Sequence, residues 1–311
     1  MKNIEDDTQL VQHMLQRIDA INNVPDEVRK TLLDFVVDGI TVGKVTPSKA
    51  KLLSEVDAGE GSVFAIKDGT VELTPVAGKT ADTRTLAVSK VMEKLRDDGV
   101  VTGWRDELYP VAETFYSEPL FLMERGTVAL LGIREYGVHV NGLVQENPAE
   151  APKMWLGRRS ATKSKYPSML DHIAAGGQPE GIGLFDNVVK ECYEEAGIPV
   201  DVTMAGIHAA GGISYEFYSK SKDQVTRAVM FNFDLYLPPD FKPEPVDGEM
   251  SEFMLWDVKQ LKESMDPNYS DPIKPNCYVV IIDWLLRTGK LSPEAPGYLD
   301  VLSGLRRGEC R

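Results

Sequence analysis

Cysteine is scarce. Cys192, Cys277 and Cys310 cannot all pair within the chain and show no metal-ligand spacing, which argues against a disulfide scaffold and a zinc finger. Basic charge is in deficit: Lys and Arg number 34 against 48 for Asp and Glu, a net −14. Such a chain is poorly suited to non-specific nucleic-acid binding or to an anionic membrane surface. A phosphorylated substrate would need local neutralisation, most simply by a divalent metal. Long apolar runs are missing. The longest, Tyr278 to Leu286, contains Asp283 and is too short to span a bilayer. The opening MKNIEDDTQL has no apolar core for a signal peptide and too little Arg and Ser for a transit peptide. These absences together lead to the expectation of a soluble protein in a reducing compartment, the cytoplasm. What is present suits a folded chain: 42% hydrophobic and 26% charged residues allow one large core or two smaller ones.

At roughly 150 residues per domain, 311 residues suggest two units. Leu10, Val11, Met14, Leu15, Ile18 and Ile21 predict an amphipathic helix over 5–22, and a second helical pattern covers 82–98. Between them, 35–45 and 63–73 read as β-structure, the latter turning at Asp68-Gly69. A small α+β unit over 1–118 follows. Beyond it, 127–133, 138–144, 153–158, 203–209, 214–218, 227–237 and 251–258 read as strands. Helices are expected over 183–196, 259–265, 277–288 and 298–305, with a proline-rich loop at 238–245. The second unit, 119–311, is thus expected to be a mixed sheet with helices on its faces.

One segment carries chemistry: GGQPEGIGLFDNVVKECYEEAGI, from Gly176 to Ile198. On a helix, Val188, Val189, Cys192 and Ala196 share an apolar arc with Phe185, and Glu191, Glu194 and Glu195 lie at i, i+3, i+4 beside it. Three neighbouring carboxylates repel unless neutralised. Mg²⁺ takes oxygen ligands and carries phosphates, so it fits that role. Glycines on the approach let backbone come close to metal and phosphate.

This string resembles the Nudix box: Gly, five residues, Glu, seven residues, Arg-Glu, an aliphatic, any residue, Glu-Glu, any residue, Gly, an aliphatic. Glu191, Cys192 in the aliphatic slot, Glu194, Glu195, Gly197 and Ile198 match. Lys190 stands in the Arg position and keeps the charge without the fork. Ile182 replaces the first Glu, and the approach has full length from Gly176 but is one residue short from Gly177. The surrounding wording is similar to the Nudix branch related to the C-terminal part of fungal thiamin pyrophosphokinases and their plant relatives. It includes Tyr136 to Gly142, Trp155 to Ser160, Tyr166 to Asp171, Gly181 to Gly183, Asp247 to Phe253 and Lys274 to Asn276. The resemblance covers nearly the whole chain, with its specificity concentrated in 134–256. It implies an α/β/α Nudix sandwich, α+β in class, preceded by a small domain of unknown function. It further implies hydrolysis of thiamin diphosphate, and more so of its oxidised oxo and oxy forms, to monophosphate and phosphate.

On that resemblance, Mg²⁺, with Mn²⁺ as an alternative, is expected on Glu191, Glu194 and Glu195, with a Gly176 or Gly177 carbonyl completing the set. Lys190 orients Glu191 or partly neutralises the cluster. A late loop Glu often acts as general base in this family; Glu249 is favoured over Glu252. From the residues themselves, Arg158, Arg159, Lys163 and Lys165 form a basic cluster suited to phosphate. His139 and His172 read as hydrogen-bonded structural histidines, with His172 close enough to Gly177 to line an entrance. A small-molecule diphosphate is the expected partner, and a homodimer is allowed by family analogy. The rival readings are a Nudix pyrophosphatase on a nucleoside diphosphate derivative such as ADP-ribose, an isopentenyl diphosphate isomerase, and a non-catalytic diphosphate-binding domain.

Overall fold

The computed structural model describes residues 4–57, 59 and 61–310. Helix α1 (Ile4–Ala20) and the short α2 (Asp26–Arg29) lead into a hairpin of β1 (Leu33–Val37) and β2 (Ile40–Val45). The run expected over 35–45 is therefore two strands. Asp38 and Gly39 turn it, both with positive φ (52° and 81°), the backbone that a tight primed turn requires. Helix α3 (Pro47–Glu55) follows, then the hairpin β3 (Phe64–Lys67) and β4 (Thr70–Leu73), which turns at Asp68-Gly69. The four strands form one sheet in the order β2-β1-β4-β3. Helix α4 (Ala81–Asp97) begins with a capping box between Thr80 and Thr83. After it, β5 (Leu108–Val111) and β6 (Phe121–Glu124) pair antiparallel.

Residues 127–133, expected as a strand, instead lie largely in a 3₁₀ turn over Arg125–Leu130. The Glu124 side chain accepts from the Gly126 N–H and so caps that turn, outweighing the β-like composition.

A seven-stranded mixed sheet comes next. Its strands are β7 (Arg134–Val144), β8 (Lys153–Arg159), β9 (Leu170–His172), β10 (Ala174–Gly177), β11 (Ile207–Ser219), β12 (Gln224–Leu237) and β13 (Met250–Trp256). The order is β11-β12-β7-β8-β13, with β10 on β7 and β9 on β8; β7 and β12 run parallel. Helix α5 (Leu184–Ala196) covers one face, where Val188, Cys192 and Ala196 pack on Val138, Val140 and Phe233. After α5 comes α6 (Val200–Gly206), so most of the strand expected over 203–209 is helical. Pro199 precedes its first turn and Thr203 is buried in it. The chain ends with α7 (Val258–Glu263), α8 (Pro275–Arg287) and α9 (Tyr298–Gly304).

Helix α8 covers the second face and completes an α/β/α sandwich of α+β class. It is apolar nearly all round, with Asp283 held by Arg287 and Arg306. Leu10, Val11, Met14 and Ile18 of α1 join this same core beside Trp284, while the N-terminal sheet encloses a separate one around Phe35, Phe64 and Phe121. The first helix thus packs with the C-terminal layer rather than on the small sheet that follows it.

Candidate active site

Three buried apolar positions clamp α5 to the sheet, and Gly197 ends it in the left-handed conformation (φ 63°). The Gly197 and Ile198 N–H groups close onto the Tyr193 and Cys192 carbonyls at 3.1 Å each. This fixes where the glutamates stand. Glu191 lies against Gly176, so close that a Cβ at Gly176 would fall within the Glu191 carboxyl group. Glu195 is buried, and its Oε2 accepts from the Ala175 N–H at 3.1 Å. Glu194 is half exposed. Lys190 Nζ bridges Glu191 Oε1 at 3.2 Å and Glu194 Oε2 at 3.0 Å.

Burial raises the Glu191 carboxyl above the usual range, opposed by Lys190. Burial pushes Glu195 up much further, with the charges of Asp171, Glu191 and Glu249 adding to it. A buried carboxylate with one N–H donor and three acidic neighbours is costly to ionise without a cation. The donors are hard oxygens, and Gly176 leaves a cradle that a side chain would fill. A divalent metal of the Mg²⁺ type suits that set.

Glu249 is near enough to Glu195 for its charge to act there, and it pairs with Lys163 Nζ at 2.5 Å. The structure therefore brings Lys190, Glu191, Glu194, Glu195 and Gly176 together, with the Glu249–Lys163 pair near enough for the Glu249 charge to act on Glu195. It does not turn Arg158 and Arg159 to the same place. Arg158 makes a two-pronged pair with Asp271 at 2.8 Å and a further one with Glu252 at 2.6 Å. Arg159 is buried and donates to Asp171 at 2.7 Å and to the Tyr166 and Lys165 carbonyls. Their expected phosphate role gives way to acidic partners, most of them far along the chain. The Gly177 carbonyl accepts from Asn187 Nδ2 at 2.8 Å and so ties β10 to α5.

The family described as a domain of unknown function (DUF4743) matches residues 13–135. Nudix hydrolase 24 of Arabidopsis thaliana, named as chloroplastic, is 37% identical over 95% of this chain and 78% of its own length. Nudix hydrolase 20 of the same plant, also named as chloroplastic, is 39% identical over 89% of this chain and 74% of its own. The chain belongs to the Nudix hydrolase family. Among solved structures, a MutT/Nudix family protein from Enterococcus faecalis shares 15% identity with a TM-score of 0.40, over 54% of this chain and 67% of that one.

This Nudix hydrolase also holds a buried polar cluster on the sheet face opposite α5. His139, Asp171, His172 and Cys277 place one ligand-type atom each within 4.8 Å of one another. His139 Nδ1 and His172 Nδ1 lie 2.9 Å apart, and Cys277 Sγ donates to Asp171 Oδ1 at 2.8 Å. Arg159 and Lys274 both hold Asp171 Oδ2, at 2.7 and 3.0 Å. Two cations already face that one carboxylate, so a third positive centre there is electrostatically unfavourable. The cluster is a hydrogen-bonded network joining β7, β9 and α8. Sequence reading placed the two histidines in such a role but not their partners. Cys277 and Lys274 stand about 100 residues away from Asp171, and no local spacing signals the contact.

Burial depresses both imidazoles, His172 down to about 4 and His139 well below 6.5; the neighbouring histidine lowers His139 further. Unfolded imidazoles take up protons near pH 6.5 while the folded ones do not. The stability that these two groups contribute is therefore fully present above about pH 6.5 and is lost as pH falls toward 4. NMR titration should show the His172 ring signals holding their neutral positions down to about pH 5. A midpoint near 6.5 would contradict the buried network.

Among the described residues, no helix is long and apolar enough to cross a membrane.

Proposed function

We propose that the chain is a metal-dependent diphosphatase that cleaves thiamin diphosphate, and more readily its oxo and oxy forms, to monophosphate and phosphate. The observation that carries the chemistry is the Glu191–Glu194–Glu195 face set against Gly176, with Glu195 buried and short of donors. The substrate class rests on the wording around the box, from Tyr136 to Asn276. Glu191, Glu194 and Glu195 would hold Mg²⁺, or Mn²⁺ in its place. The bound metal supplies charge neutralisation and water activation at neutral pH. Lys190 keeps Glu191 and Glu194 aligned. Glu249, oriented by Lys163, stands as the base that takes the proton of the attacking water. Water adds to the terminal phosphorus, the anhydride P–O bond breaks, and the monophosphate leaves.

For this chain we propose the cytoplasm, on its three unpaired cysteines; the chloroplast belongs to the plant relatives' names. The test of substrate is chromatographic analysis of the hydrolysis products at neutral pH with Mg²⁺ across thiamin diphosphate, its oxo and oxy analogues, ADP-ribose (cleaved to AMP and ribose 5-phosphate) and a nucleoside triphosphate. The oxidised thiamin forms should give the highest kcat/KM. Turnover of ADP-ribose alone would sink the thiamin assignment and leave the metal site standing.

A further inference from the structure

Gly176 and Gly177 are consecutive on β10, a strand that pairs with β7 alone, so their faces are opposite. On one side Glu191 fills the space beside Gly176. On the other, a Cβ at Gly177 would run into the Tyr109 hydroxyl and come 2.9 Å from Arg125 Cζ. Only the thickness of one edge strand separates the metal-binding face from two side chains, Tyr109 of β5 and Arg125 just after β6, whose strands pack with the core around Phe35 and Phe64. The Arg125 charge reaches Glu191 and favours its ionised form against burial.

Arg125 is built into place. Its backbone N–H donates to the Glu107 carbonyl at 2.8 Å and its Nη1 to Glu107 Oε2 at 2.6 Å. The guanidinium lies 5.4 Å from the Tyr109 ring centre. Glu124 Oε1 fixes the turn by accepting from Arg105 N at 2.7 Å and from Gly126 N at 2.9 Å. The side chain stays 38% exposed, and its Nε and Nη2 donate to no acceptor among the described residues. This contrasts with Arg158 and Arg159, whose forks are closed by Asp271 and Asp171. A guanidinium with two open donors beside the carboxylate face suits phosphate oxygens.

We propose that Arg125 binds non-bridging oxygens of the substrate diphosphate, so that the segment following β6 completes the active site. The inference rests on the diphosphatase reading only for the chemistry of the ligand. Its test compares the wild-type protein with Arg125→Met and Arg125→Lys. KM and kcat are read on thiamin diphosphate and on ADP-ribose, and the Kd of methylenediphosphonate is read by calorimetry, all with Mg²⁺. Arg125→Met should raise KM and Kd by about 10- to 100-fold, the range expected for losing charge-assisted hydrogen bonds. Arg125→Lys keeps the charge but not the fork and should raise both by about 3- to 10-fold. KM and Kd within about twofold of wild type would overturn the proposal. If the methionine variant does not fold, the lysine variant decides by the same criterion. A wild-type preference for ADP-ribose would end the thiamin assignment alone, and the Arg125 comparison would then be read on that substrate.

Discussion

Replacing Glu195 by Gln is expected to lower kcat by a factor of about 10³ or more, equivalent to about 4 kcal/mol of transition-state stabilisation. The protein should remain folded. Glutamine keeps the shape and an oxygen acceptor for the Ala175 N–H, the one hydrogen bond Glu195 makes among the described residues. It removes a carboxylate whose ionisation is disfavoured by burial first and then by Asp171, Glu191 and Glu249. In metal-free protein at neutral pH the thermal midpoint should therefore hold or rise. A ligand that binds only the folded state raises its stability by mass action, so saturating Mg²⁺ should raise the midpoint of the wild type and much less that of the variant. A kcat within tenfold of wild type would mean that Glu195 holds no metal during turnover.

Asp171→Asn should be the most damaging single change to stability, costing about 3–5 kcal/mol and lowering the thermal midpoint by roughly 10 °C. Asp171 is 1% exposed and takes four donors: Arg159, Lys274, the Cys277 thiol and the His172 N–H. Arg159 is also buried, and Lys274 is largely covered. Removing the carboxylate charge leaves two cations close together with nothing to balance them, which is worse than losing a surface pair. Differential scanning calorimetry checks this. A shift below about 2 °C would show that solvent reaches the cluster and screens it.

The sequence made the glutamate-bearing helix α5 legible because local rules agree there. The apolar arc, the i, i+3, i+4 glutamates and the Gly197 stop lie within one element, and the structure gives α5 over Leu184–Ala196. The strands that alternate in pattern, such as 138–144 and 227–237, fall within β7 and β12. Two apolar runs misled. The residues of 127–133 are β-like in composition, yet the Glu124 cap turns most of them into a 3₁₀ segment. Those of 203–209 carry mixed signals, and Pro199 starts a helix just before them. The basic cluster at 158–165 was legible as charge but not as destination: Arg158 and Arg159 face Asp271 and Asp171, while Lys163 reaches Glu249. Arg125 and Tyr109 were invisible in sequence because nothing near them in the chain resembles a site. Their meaning comes from Gly177, 52 residues beyond Arg125, whose missing side chain makes room for them.

The proposed chemistry depends on where a divalent cation binds. Crystals equilibrated with Mn²⁺ and measured at its absorption edge would locate the ion by anomalous scattering. A peak is expected in contact with Glu191, Glu194 and Glu195 beside Gly176, abolished in Glu195→Gln. A peak instead among His139, Asp171, His172 and Cys277, with none on the α5 glutamates, would contradict it.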